Sequence, residues 1–193
     1  MTPVEEFDTI TPAASAGAVV ALAFLDGSPV AVLAGGDVWS ARAGAFRPPG
    51  GAAVISASRH PDRTSLLLGG DDGRLIRISP NGDQQELGQL GQTWVHHVVA
   101  SDASGVIVAS AGRVAHVWPA GAAVPSHSFS FDSTIGGLAL DAKGKRLAVS
   151  AYGGVHLLYP LAAGGGRLSL SHAGSHLACT LAPDAGYVLA AMQ

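Results

Sequence analysis

Two stretches of this chain are near copies of one another at a constant offset. Gly69–Gly82, GGDDGRLIRISPNG, reads as a tight turn, a strand and a second turn, and Gly112–Gly121, GRVAHVWPAG, repeats it. Gly73-Arg74-Leu75 matches Gly112-Arg113-Val114, and Ser79-Pro80-Asn81-Gly82 matches Trp118-Pro119-Ala120-Gly121. A fixed period of about 40 residues marks a repeat architecture, in which one unit cannot bury its apolar face without neighbours. The pattern extends along the chain. Four times a turn glycine is followed three positions later by an aliphatic residue and then alanine: Gly27/Val30/Ala31, Gly105/Val108/Ala109, Gly144/Leu147/Ala148 and Gly186/Leu189/Ala190. The second unit departs, with Arg63, Leu66 and Leu67 in those slots. The aliphatic slots are thus Val30, Leu66, Val108, Leu147 and Leu189, whose spacing keeps close to that one period.

Each unit consists of short apolar runs between turn signals, with no helical periodicity. The first holds Val19–Leu25, Val30–Leu33 and Val38-Trp39, and ends in a Pro/Gly-rich break from Gly44 to Gly51. The second holds Ala53-Val54-Ile55, Leu66–Leu68, Leu75–Ile78 and the polar run Gln84–Leu90, which reads as an exposed outer strand. The third holds Trp94–Ala100, Val106–Ala109, Val114–Trp118 and Ser128–Phe131. The fourth holds Ile135–Leu140, Leu147–Ser150, a turn at Tyr152-Gly153-Gly154, Val155–Tyr159 and Arg167–Ser171. The fifth holds only Leu177–Leu181 and Tyr187–Met192. Continuous apolar inner runs indicate strands buried on both faces, whereas the outer runs alternate. About 40 residues and four strands per unit is the size of a β-propeller blade. The expected fold is therefore all-β: a propeller of four-stranded antiparallel blades, about four and a half present, the last incomplete.

Three stretches resemble the core of a WD repeat: HPDRTSLLLGGDDGRLIRI (His60–Ile78), LALDAKGKRLAVSAYGGVHLL (Leu138–Leu158) and TLAPDAGYVLA (Thr180–Ala190). The resemblance covers nearly all of 19–193. The signature Trp-Asp is missing, because its Trp slot holds Trp39, Ser79, Trp118 and Tyr159, each followed by Ser or Pro. The opening Gly-His pair is missing too, so the side-chain tetrad of the family has no counterpart here. The resemblance implies a WD-repeat-like interaction platform and a ring of seven blades, of which this chain would be a fragment. The domains are then an N-terminal segment, 1–18, and propeller blades over 19–193. If the ring closes by strand exchange, Phe7–Thr11 is the outer strand of the last blade.

Charged residues are only 13% of the chain, about half the usual ~25%, and glycine is abundant at 26 residues. Many tight turns between short buried strands require such a composition. The net charge is −3 and the eleven Lys and Arg are scattered, so no basic stripe points to nucleic acid. A single cysteine, Cys179, excludes an internal disulfide framework. The N-terminus MTPVEEFD is acidic where a signal peptide is basic, and the early apolar run Ala16–Leu25 is too short to span a bilayer. The expectation is a cytoplasmic protein with no membrane partner.

No phosphate-binding GxxxxGK[ST] and no nucleophile elbow GxSxG occur, and GGGR at 164–167 reads as a linker turn. His172, His176 and Cys179, spaced H-x3-H-x2-C, are zinc-capable side chains. Their run crosses from a loop into a strand, where that spacing does not put them on one face, and Cys179 reads as a small core residue. His96-His97, adjacent in a strand, point to opposite faces by alternation, one packed and one toward the channel. His116 and His156 recur at nearby third-strand slots, which indicates packing. Asp26, Asp62, Asp141 and Asp184 recur between first and second strands as turn formers. In a four-strand meander the second-to-third turns share an end with the connections between blades. That end gathers Asp37, Asp71, Asp72, Arg113 and Tyr152, with Trp94 and Ser133 on connections. Trp94, Arg113, Tyr152 and Asp72 are the candidate contacts for a protein or peptide partner. No catalytic residue, cofactor or metal ligand is assigned. The expected function is a non-enzymatic interaction scaffold. The alternatives are a lactonase- or quinoprotein-like propeller enzyme acting at the axial channel, and a purely structural assembly domain.

Overall fold

The computed structural model describes residues 17–193, so the expected closing strand Phe7–Thr11 lies outside the described residues. Sixteen strands form four antiparallel four-stranded sheets. The first sheet runs β1 (Val19–Leu25), β2 (Ser28–Leu33), β3 (Val38–Ser40) and β4 (Gly44–Phe46). The second runs β5 (Val54–Arg59), β6 (Leu66–Gly70), β7 (Arg74–Ile78) and β8 (Gln84–Gln89). The third runs β9 (Val95–Ala100), β10 (Ile107–Ala111), β11 (Val114–Trp118) and β12 (His127–Ser130). The fourth runs β13 (Ile135–Leu140), β14 (Leu147–Tyr159), β15 (Gly166–Leu181) and β16 (Val188–Met192). Among the described residues no helix is long and apolar enough to cross a membrane.

Local chemistry sets these meanders. The β1–β2 hairpin closes on Asp26-Gly27, both at positive φ (48° and 71°), the conformation a two-residue type I′ turn requires. β4 lies inside the stretch read as a Pro/Gly break: Gly44-Ala45-Phe46 has no strand signature, and its pairing with Val38–Ser40 makes it a strand.

The sheets stack face to face in chain order, with an apolar core at each of three junctions. Between the first and second lie Leu25, Val30, Val32 and Val38 against Leu66, Leu68, Ile76 and Ile78. Between the second and third lie Leu67, Leu75 and Leu87 against Val95, Val98, Ile107 and Trp118. Between the third and fourth lie Val106, Val108, Val117 and Phe131 against Ile135, Leu138, Leu147 and Val149. Adjacent residues of one strand thus serve different junctions, Leu66 and Leu68 the one before and Leu67 the one after, as the period of two demands. β8 is an exposed outer strand, as expected, except at Leu87, which is buried under Trp118, whose indole N–H donates to the Leu87 carbonyl at 3.2 Å.

The pairing corrects the repeat register. Leu66, Ile107, Leu147 and Val188 occupy one slot, opposite Arg59, Ala100, Leu140 and Leu181, and they are almost evenly spaced along the chain. Counting from turn glycines puts Val108 and Leu189 in that slot, one position late, because Gly105 and Gly186 stand two residues before the slot and Gly144 three, although the turns themselves are equally long. A slip of one position reverses the face: Leu147 packs on the preceding sheet and Val108 on the following one. The turn expected at Tyr152-Gly153-Gly154 lies within β14. The chain does turn there: the Arg146 guanidinium, just before β14, lies 5.1 Å from the ring of Tyr159 at its far end, and Gly153 and Gly154 have φ of 90° and 148°. The first arm (Leu147–Ala151) pairs with β13 and the second (Gly154–Tyr159) with β15. β15 likewise pairs with β14 over Gly166–Ser171 and with β16 over His176–Leu181.

Among the described residues the stack is open at both ends. Ala57, Val98 and Leu138 pack on the sheet before their own. Leu22, two positions past the same irregularity in β1, is 75% exposed. Leu67 and Val108 pack on the sheet after their own, whereas Leu189, in the corresponding slot of β16, is 61% exposed. The described sheets form an arc of propeller-like stacking, not a closed ring.

Candidate functional site

The first strand of every unit carries a register irregularity one residue into its ladder. It falls at Val20 in β1, Ile55 in β5, His96 in β9, Gly136 in β13 and Leu177 in β15. A bulge inserts one unpaired residue, bends the strand and re-aims its side chains. The bulged ends of β9, β13 and β15 surround a cleft of about 490 Å³ lined by His96, His97, Ser133, Thr134, Ile135, Gly136, Tyr152, Ser175, His176 and Leu177.

The bulge explains why alternation fails here. His96 and His97 do not divide between core and channel: both are half-buried and both line the cleft, their rings 6.1 Å apart. Burial pushes the His97 imidazole below its ordinary pKa and the charge of His96 adds to this, while a hydrogen bond with the Ile135 backbone opposes it. His176 is only 6% exposed, and its Nδ1 lies 3.2 Å from the Gly174 carbonyl, with the His172 ring edge-on at 5.8 Å. Across the cleft the Tyr152 N–H donates to Ser133 Oγ at 3.0 Å.

Of the four candidate partner contacts, the fold brings one to this cleft and two beside it. Tyr152 lines it and is 69% exposed; Trp94 is 51% exposed and its ring lies 5.6 Å from His96. Arg113 is exposed on the turn after Gly112, whose carbonyl accepts the Ile135 N–H at 3.0 Å, and it makes no ion pair among the described residues. Asp72 is elsewhere, in the second sheet. Its carboxylate pairs with the Arg74 guanidinium and accepts the Arg74 N–H at 3.1 Å, and its carbonyl accepts Gln89 Nε2 at 2.7 Å. The three histidines escape sequence reasoning as a group because they come from β9 and β15, strands two units apart in the chain, and no motif announces a bulge.

Cys179 does not join them. It lies on the rim of a second cleft, about 680 Å³, with Arg63, Asp102, Asp141 and Thr180. Burial pushes its thiol pKa up, and its Sγ sits 3.6 Å from the Ala148 carbonyl. No three His, Cys, Asp or Glu side chains among the described residues are grouped to hold a metal ion. In the same cleft Arg63 pairs with Asp102 at 2.7 Å, tying the second sheet to the third.

The recurrent aspartates are turn chemistry. Asp141 Oδ1 accepts the N–H of Lys145 and Arg146 at 2.7 and 2.9 Å, and Asp184 that of Gly186 at 2.9 Å. Asp62 accepts the N–H of Thr64 and Ser65 at 2.8 and 3.0 Å. Asp26 instead holds Arg42 at 2.9 Å. Asp62 also meets His60, Ser65 and Arg77, which gathers the residue types of a catalytic triad. The order is wrong for one: the hydroxyl of buried Ser65 bonds the carboxylate directly and not the imidazole. Burial opposes ionisation of Asp62, yet hydrogen bonds from Ser65 and Thr64 and the charge of His60 hold its carboxyl well below the usual carboxylate range. His116 and His156 sit beside Trp118 and Phe131 and fill packing slots. No protein-family model matches this chain, and no curated protein matches it in sequence.

Proposed function

We propose that this chain is a non-enzymatic interaction scaffold of the WD-repeat propeller type, and that it engages a protein or peptide at the bulged end of the stack. The observation that carries this reading is the pair of exposed aromatics at the histidine cleft, Tyr152 in its lining and Trp94 beside His96. Large aromatics held on a rigid scaffold lose little entropy on binding and dominate interface energetics. The open faces at Leu22 and Leu189 repeat the chemistry of the three buried junctions. That supports placing the arc within a larger ring, seven-bladed in the WD-repeat reading.

The double variant Trp94→Ala/Tyr152→Ala tests this. Both side chains are exposed, so its thermal midpoint should stay within about 2 °C of the parent. A partner captured saturably by the parent from native extract should bind the variant at least tenfold more weakly, the scale of losing one or two anchor residues. Equal capture by both proteins would refute this site.

A further inference from the structure

The polar lining of the histidine cleft has one chemical character. His96, His97, Ser133, Thr134, Tyr152, Ser175 and His176 supply it, and no carboxylate appears among them, in a chain whose net charge is −3. Several of these groups are already committed so that donors remain for a ligand. Ser133 Oγ accepts the Tyr152 N–H, which leaves its hydroxyl proton free to point outward. His176 donates its Nδ1–H to the Gly174 carbonyl, which leaves its Nε2 for a ligand. Arg113, without an ion pair among the described residues, stands on the turn bonded to Ile135 at the cleft wall.

From this donor set we infer that the cleft binds a carboxylate presented by an acidic peptide segment of the partner. The inference rests on the scaffold reading and supplies its ligand chemistry. Charge-assisted hydrogen bonds to a carboxylate are about twice as strong as neutral ones, so binding tightens as the imidazoles gain protons. The titratable groups around the cleft are His96 and His97 from β9, Tyr152 from β14, and His172, His176 and Cys179 from β15. Asp132, on the connection into β13, acts on His156. Histidine is the side-chain type whose charge ordinarily changes between about pH 5.5 and 7.5.

The test is a titration of the full chain with a glutamate-rich decapeptide and its glutamine-substituted counterpart. Trp94 fluorescence, beside His96, and calorimetry report binding. Affinity for the glutamate peptide should rise about tenfold from about pH 7.5 to about 5.5, the scale of one or two charge-assisted bonds. The glutamine peptide should bind at least tenfold more weakly at the lower pH. His96→Gln/His97→Gln should remove the pH dependence, while His127→Gln, on β12 away from the cleft, should leave it intact. Equal binding of the two peptides, or a pH dependence that survives in His96→Gln/His97→Gln, overturns the carboxylate site. Loss of the dependence in His127→Gln also overturns it, since general charge would then be the cause. If a native partner is captured in a Trp94- and Tyr152-dependent way but neither peptide binds, the scaffold stands and the carboxylate inference falls.

Discussion

Trp118→Ala should lower the unfolding free energy by about 4 kcal/mol, the usual cost of emptying a large buried aromatic site. Trp118 is fully buried, and it is the largest fully buried side chain among the described residues. It packs between the second and third sheets with Leu67, Leu75, Leu87 and Ile107. Its indole N–H crosses the junction to the Leu87 carbonyl. Alanine therefore removes packing on both sheets and strands a buried acceptor at once. For a chain of this size the loss should lower the thermal midpoint by roughly 10 °C. Trp118→Phe, which keeps much of the volume but not the N–H, should cost about 2 kcal/mol. Denaturant titration of the two variants separates the packing part from the hydrogen-bond part. A loss below about 1 kcal/mol for Trp118→Ala, the size of an ordinary substitution, would mean that the second and third sheets do not pack through this residue.

The second large effect should come from a single methyl group. A Cβ built on Gly136 would overlap the His176 carbonyl oxygen and lie 3.2 Å from the Leu177 Cα. Both are backbone atoms, so no side-chain rotation relieves the clash, and β13 and β15 must move apart. Overpacking of this kind costs about 1–3 kcal/mol. Its functional effect should be larger, because Gly136 and His176 both line the same cleft. Gly136→Ala should thus lose acidic-peptide binding while keeping a cooperative thermal transition. Unchanged binding in a folded Gly136→Ala protein would show that the two strands do not approach this closely.

The two substitutions mark the boundary between what is legible in the sequence and what is not. Burial of Leu66–Leu68 and of Val106–Ala109 on both faces follows from continuous apolar runs, and the constant repeat period implies four-stranded units. Trp118 stands out as the occupant of a repeated slot. Yet its partner Leu87 lies in a strand whose other residues are polar or glycine, and only the junction shows why that one position is buried. The bulges are invisible in the sequence because Val20, Ile55, His96, Gly136 and Leu177 share no residue type. What recurs is their place in the ladder, which pairing creates. Alternation, a sound rule for an unbroken strand, therefore assigns His96 and His97 to opposite faces. The same dependence on pairing explains the slip of one position at Val108 and Leu189: the glycine holds no fixed place within turns of equal length, and a register counted from it inherits the shift.

Successive sheets stack face to face, so that neighbouring residues on one inner strand belong to different junctions. Methyl–methyl nuclear Overhauser effects from Leu66, Leu67 and Leu68 in a methyl-labelled sample test it most directly. Leu67 should show effects to Val98 and Ile107 and none to Val30 or Val32. Leu66 and Leu68 should show the reverse. Effects from Leu66 and Leu67 to one common set of methyls would contradict the stacked arrangement, and with it the cleft that the bulged strands form.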